Sequence, residues 1–188
     1  MKRLAIFASG SGTNFEAIAA ACKAGSVEAE PVLVVCDHPE AKVMERAERF
    51  GVESFAFRAK DFASKAEYEA EIVRRLNEKQ VDLVCLAGYM RLIGPVMLAA
   101  YGGRIINIHP ALLPSFKGAH GIKDAFDYGV KVFGVTIHYV DETLDGGKII
   151  AQRAFEYYGQ DIDEVESQIH AIEHILYPET IQKLIKTI

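Results

Sequence analysis

Leu4-Ala5-Ile6-Phe7-Ala8-Ser9-Gly10-Ser11-Gly12-Thr13-Asn14-Phe15 decides the fold. Its first part is a short apolar run of strand type, and its second part is a glycine-rich turn that opens onto helical spacing. Strand, turn and helix in that order make the first unit of an α/β sheet. The turn also has a chemical reading: where glycines remove Cβ atoms, backbone N–H groups and the helix dipole can face an anion, as phosphate sites in such folds do. The dinucleotide fingerprint is incomplete, because Phe15 occupies the place of its third glycine, although Asp37 ends the second strand in the ribose-binding position. No Gly-Lys-Ser/Thr follows, so a Walker loop fails too. A phosphomonoester suits Ser9 to Asn14 better than either, and a tight turn capped by Thr13 or Asn14 suits the loop alone equally well.

Outward from this unit, the apolar runs Leu4–Ala8, Pro31–Cys36, Val81–Ala87 and Arg104–Ile108 alternate with helical segments at Asn14–Ala24, Glu40–Phe50, Lys65–Lys79 and Pro95–Tyr101. After Ile122–Tyr128 come strands at Val130–Val140 and Lys148–Phe155. A last helix covers Asp161 to Ile188, where Ile162, Val165, Ile169, Ile172 and Leu176 form one buried stripe and Tyr177-Pro178 predicts a bend. The expectation is an α/β chain forming one domain over residues 1–188: Rossmann-like, with a mostly parallel twisted sheet, helices on both faces and a long C-terminal helix. Half of the 188 residues are apolar and a quarter are charged, which is enough for a sizeable core. The formal charge of −5 lacks the basic stripe that nucleic-acid binding needs. Three separated cysteines, Cys22, Cys36 and Cys85, predict buried thiols in a reducing compartment. With no signal-like or membrane-length apolar run, the expectation is a cytoplasmic protein with small-molecule substrates, no membrane, and a monomeric or homodimeric state.

Two polar residues interrupt a strand that should be buried on both faces. Asn107 and His109 stand two positions apart just before Pro110, so they point to the same side, about 7 Å apart along the chain, at the carboxyl end where open α/β sheets place ligands. Buried and unsatisfied, each would cost about 1–3 kcal/mol, so either internal partners or a ligand must engage them. Asp141-Glu142-Thr143-Leu144-Asp145-Gly146-Gly147 connects the last two strands and supplies a carboxylate on a glycine-hinged loop. A carboxylate beside an imidazole orients it for acid chemistry, and an Asn amide can donate to an oxyanion. Ser115 follows in a Pro-Ser-Phe turn, but no Gly-x-Ser-x-Gly elbow occurs. A reaction whose nucleophile is the substrate's own amine fits this set.

Ser9–Asn14, Ala87-Gly88-Tyr89-Met90-Arg91, Ile106-Asn107-Ile108-His109-Pro110 with Leu112-Leu113-Pro114, and Leu144-Asp145-Gly146-Gly147 together resemble the phosphoribosylglycinamide formyltransferase family of purine biosynthesis, in order and over nearly the whole chain. The resemblance implies transfer of formyl from 10-formyltetrahydrofolate, as co-substrate, to the amine of glycinamide ribonucleotide without a metal. It implies that Asn107 and protonated His109 stabilise the tetrahedral oxyanion while Asp145 holds His109 and assists proton movement. It places Gly12, Thr13, Asn14 and Glu173 on the ribonucleotide, and Lys65, Met90, Arg91, Leu92, Ile93, Asn107, Asp141, Glu142, Thr143, Leu144 and Asp145 on the folate. Lys65 stands where some members have arginine, which keeps a cation but not a bidentate contact. Strand-end packing is the other reading of Met90 and Arg91. In Gly118-Ala119-His120-Gly121-Ile122, Ile122 replaces a second histidine of some members, and no chemistry is expected of that turn.

His170-Ala171-Ile172-Glu173-His174 spells the inverted zinc-protease motif, but the only acid after His174 is Glu179. By the same resemblance Glu173 is expected to face substrate, with His174 packed or bonded locally. Methionyl-tRNA formyltransferase would share the Asn107, His109 and Asp145 set; it carries a further tRNA-binding domain, whereas this chain stops at Ile188. Formyltetrahydrofolate hydrolase would use water as acceptor. A non-catalytic nucleotide-binding module leaves those three residues unexplained.

Overall fold

The computed structural model describes residues 1–188. In chain order the elements are β1 (Lys2–Phe7), α1 (Thr13–Lys23), β2 (Ala29–Cys36), α2 (Lys42–Phe50), β3 (Ser54–Ala56), a 3-10 turn (Ala59–Asp61), α3 (Lys65–Glu78), β4 (Leu83–Leu86), α4 (Pro95–Tyr101), β5 (Ile105–His109), α5 (Gly121–Tyr128), β6 (Val132–Tyr139), β7 (Ile149–Glu156) and α6 (Ile162–Leu184). One sheet holds all the strands in the order β3-β2-β1-β4-β5-β6-β7. The five strands from β3 to β5 are parallel, and β6 and β7 add an antiparallel edge. The short edge strand β3 and the turn after it were not anticipated; Ser54–Ala56, three half-buried residues, is too brief to show a period.

Alternation along the central strands sorts two cores. Leu4, Ile6, Ile106 and Ile108 pack with α1, α2 and α6, while Ala5, Phe7 and Ile105 pack with Tyr68, Ile72 and Leu76 of α3 and Met97 of α4. Helices therefore cover both faces, as a parallel sheet requires. From β1 the chain steps outward to β2 and β3, then returns to β4 on the other side of β1. This reversal opens a crevice at the carboxyl ends of β1 and β4, the usual ligand site of such sheets.

The last helix is tied to this edge. Tyr177, fully buried, donates its hydroxyl to the Leu86 carbonyl at 2.9 Å and to the Ile106 carbonyl at 3.3 Å, bridging β4 and β5. Pro178 withholds the N–H that the His174 carbonyl would accept. The helix nevertheless continues as one element to Leu184, with Thr180 bonding the Leu176 carbonyl at 2.7 Å. No helix is long and apolar enough to cross a membrane.

Candidate active site

The antiparallel pairing of β5 with β6 sets Asn107 opposite His138 and His109 opposite Thr136. His138 was missed in the sequence. Its ring is buried, its Nδ1–H donates to its neighbour's carbonyl at Tyr139 (2.8 Å), and its Nε2 lies 3.2 Å from Asn107 Nδ2. Burial lowers the pKa of this histidine and keeps the ring neutral. With Nδ1 protonated, Nε2 can only accept, so the amide group of Asn107 must donate to it. That fixes which way the amide points and leaves its second N–H unused by the protein.

His109 is buried, with Nε2 2.8 Å from the Phe116 carbonyl and therefore protonated there. Its Nδ1 faces Asp145 Oδ2 at 3.6 Å, beyond a normal hydrogen bond, so Asp145 acts on it as a nearby charge. Asp145 Oδ1 is 3.8 Å from His138 Nε2, so one carboxylate faces both rings. The Gly118 N–H holds that carboxylate at 2.8 Å, so the turn expected to take no part positions Asp145 through its backbone. Asp145 itself sits at φ +48°, a left-handed conformation that a non-glycine residue adopts only when its surroundings impose it. The ring nitrogens of His109 bond no hydroxyl or thiol. Thr136, the hydroxyl opposite it in register, is already engaged with Ala111, Leu113 and Gln152.

On one flank of this centre lies the loop Ser9–Asn14. Gly12 has φ +74°, and a Cβ there would come within 2.8 Å of the Val43 backbone, so both conformation and space demand glycine. The loop is moored to α2 by Val43 N–H on the Gly10 carbonyl (3.1 Å) and Arg46 Nε–H on the Ser11 carbonyl (2.7 Å). Asn14 Nδ2 donates to Glu173 at 3.2 Å, which brings two of the expected ribonucleotide residues together. Asn14 Oδ1 and His174 Nε2 are buried without a hydrogen bond. Glu173 also accepts from His170 Nδ1 at 3.1 Å, which raises that histidine's pKa. No three His, Cys, Asp or Glu side chains are gathered where they could hold a metal ion.

Beyond the end of β4, Lys65, Met90, Arg91 and Leu92 share a pocket of about 560 Å³ with Phe62 and Tyr68. Ile93 instead packs into the core beneath. Asp141, Glu142, Thr143 and Leu144 lie apart from this pocket, exposed on the connection between β6 and β7. There Asp141 accepts the Thr143 N–H (2.8 Å) and hydroxyl (2.5 Å), with the hydroxyl bond the largest cause lowering the Asp141 pKa. Asp37, the ribose ligand of a dinucleotide fold, is not free for such a role. Its buried carboxylate is bonded to Ser9, His38 and Arg91.

The sequence profile of the formyl transferase family matches residues 2–181. The chain belongs to the formyl transferase family. Within the formyl transferases, it is 52% identical over 186 residues to phosphoribosylglycinamide formyltransferase of Bacillus subtilis (strain 168), covering 98% of this chain and 95% of that one. The crystal structure of glycinamide ribonucleotide transformylase 1 from Geobacillus kaustophilus is 54% identical and superposes with a TM-score of 0.96 over 98% of each chain. The chain also aligns, at 39% identity over 187 residues, with 14% of the length of the trifunctional purine biosynthetic protein adenosine-3 of Drosophila melanogaster.

Proposed function

We propose that this formyl transferase moves the formyl group of 10-formyltetrahydrofolate to the amine of glycinamide ribonucleotide. The observation that carries the reading is the cluster of Asn107, His109, His138 and Asp145, which offers an amide donor, an imidazole and a carboxylate but no bonded nucleophile. Such a set suits attack by an amine that the substrate itself brings. The amine nitrogen bonds to the formyl carbon, and the carbonyl oxygen becomes an oxyanion. Asn107 donates its free N–H to that oxyanion, and the imidazolium of His109 supplies positive charge. Asp145 presents its charge to Nδ1, where the added proton resides. The proton lost by the amine passes to the folate nitrogen as the carbon–nitrogen bond breaks, which balances the step.

In this reading each substrate takes its own loop. Gly12, Thr13 and Asn14 take the ribonucleotide phosphate on backbone N–H groups, and Glu173 takes its polar body. Lys65, Met90, Arg91 and Leu92 take the folate with its anionic tail toward the lysine, and Asp141 to Leu144 border the same substrate. Free thiols at Cys22, Cys36 and Cys85 suit a reducing, cytoplasmic setting. Donor turnover with and without glycinamide ribonucleotide tests the reaction. Turnover should depend on the ribonucleotide; equal turnover without it means that water is the acceptor and the proposal fails.

A further inference from the structure

Between the phosphate loop and the folate pocket lies a polar cluster that the chemical step does not use. The Asp37 side chain is 1% exposed, and both of its oxygens are occupied. Oδ1 accepts the Ser9 hydroxyl at 2.5 Å and the His38 Nδ1–H at 3.1 Å, and Oδ2 accepts Arg91 Nε–H at 2.8 Å. The Ser9 oxygen in turn accepts the Met90 N–H at 2.9 Å, and the Ser9 N–H donates to the Gly88 carbonyl at 3.0 Å. The first residue of one substrate loop and the first residues of the other therefore share one buried anion. Burying a carboxylate is costly unless its partners are fixed, and a plain strand-to-helix turn needs none.

Each segment is also moored beyond the cluster. Val43 and Arg46 hold Gly10 and Ser11, and the buried Glu69 accepts the Gly94 N–H at 2.6 Å. The near ends of the two segments are joined through Ser9, by its backbone bond to Gly88 and by its hydroxyl, which Met90 and Asp37 share. We infer that Asp37 is a positioning residue that couples the two substrate sites, so that the ribonucleotide and the folate each tighten the other's binding. This rests on the formyl-transfer reading above. A phosphate that orders the turn fixes the Ser9 hydroxyl, which fixes the Met90 N–H and, through Asp37, the Arg91 guanidinium at the edge of the pocket. Such coupling is reciprocal and commonly about 5- to 150-fold.

Titration calorimetry with glycinamide ribonucleotide and tetrahydrofolate, a pair with no formyl group to transfer, measures each Kd alone and with the other ligand saturating. For the wild type, each ligand should tighten the other by at least ~5-fold. Asp37→Asn keeps the shape but removes the charge; Ser9→Ala removes the bridge to Met90 and leaves the Asp37–Arg91 pair. In both variants the ratio should fall toward one. General loosening of a site would weaken each Kd without moving the ratio, because every affinity is compared with itself. A wild-type ratio of one, or variants that keep the wild-type ratio, would overturn the inference. Wild type that binds neither ligand defeats the formyl-transfer reading and this inference together, whereas binding of both without coupling defeats the inference alone.

Discussion

Replacing Gly147 by alanine should disable the reaction centre without touching any residue in it. A Cβ on Gly147 would stand 2.7 Å from the Tyr139 carbonyl carbon and closer still to its oxygen, whereas ordinary contact begins at 3.4 Å. Neither partner is a side-chain tip that can turn away, so backbone must move by roughly 1 Å, a displacement that can cost about 10²-fold in rate. The oxygen that must move is the acceptor for His138 Nδ1, and His138 Nε2 is the acceptor for the Asn107 amide. The other end of the shift is the loop that carries Asp145. We expect kcat/KM to fall at least ~100-fold, or about 2.7 kcal/mol, with overpacking lowering stability by about 1–3 kcal/mol. Gly146→Ala is the internal control. A Cβ there meets Thr143 Oγ1, which can rotate away, and Thr143 Cβ at 2.8 Å, which can give only with its exposed loop, so activity should fall less than in Gly147→Ala. Steady-state formyl transfer, with imidazole nitrogen NMR to follow the His138 tautomer, provides the assay. A Gly147→Ala enzyme within about threefold of wild type, with the His138 signals unchanged, would refute this chain of contacts.

His109→Ala and Asp145→Ala should each lower kcat by ~10²–10⁴-fold while circular dichroism reports an intact fold; wild-type rates in both would remove them from the mechanism. Gly12→Ala, forced against the Val43 backbone, should raise KM for the ribonucleotide at least ~10-fold, equivalent to about 1.4 kcal/mol, while changing KM for the folate less. A reversed pattern would place the phosphate elsewhere. Stability should also carry the signature of His138. Burial lowers its folded-state pKa, so the unfolded chain takes up a proton first; stability is present above about pH 6.5 and is lost as pH falls below it. Urea unfolding of His138→Gln at pH 7 and pH 5 should therefore show a smaller loss on acidification than wild type, and an equal loss would contradict a buried neutral ring.

Four of the five parallel strands were legible because each announces itself locally, with a short apolar run, then a turn, then helical spacing, whereas β3 has only three residues. Asn107 and His109 were legible for the converse reason, as polar residues where the strand should be buried. His138 obeys the same rule on β6, but its meaning depends on the antiparallel register that sets it opposite Asn107, a non-local fact with no sequence period. Asp37 was visible as a residue and misleading as a signal. Its position suggested a ribose contact, while the fold turns its carboxylate inward to Ser9 and Arg91. The hold of Gly118 on Asp145 passes through a backbone N–H, which no side-chain pattern could announce. The end of the last helix was read too far: it stops at Leu184, and the buried Tyr177 and Ile181 sustain it past Pro178.

The most direct test of direct transfer to a substrate amine is a single-turnover experiment with isotopically labelled 10-formyltetrahydrofolate. The enzyme is mixed first with donor alone and then with glycinamide ribonucleotide, and quenched samples are read by intact-protein and product mass spectrometry. The label should move only after the ribonucleotide is added, and directly onto its amine, with no labelled protein at any time. Label on the chain before the ribonucleotide arrives would contradict direct transfer.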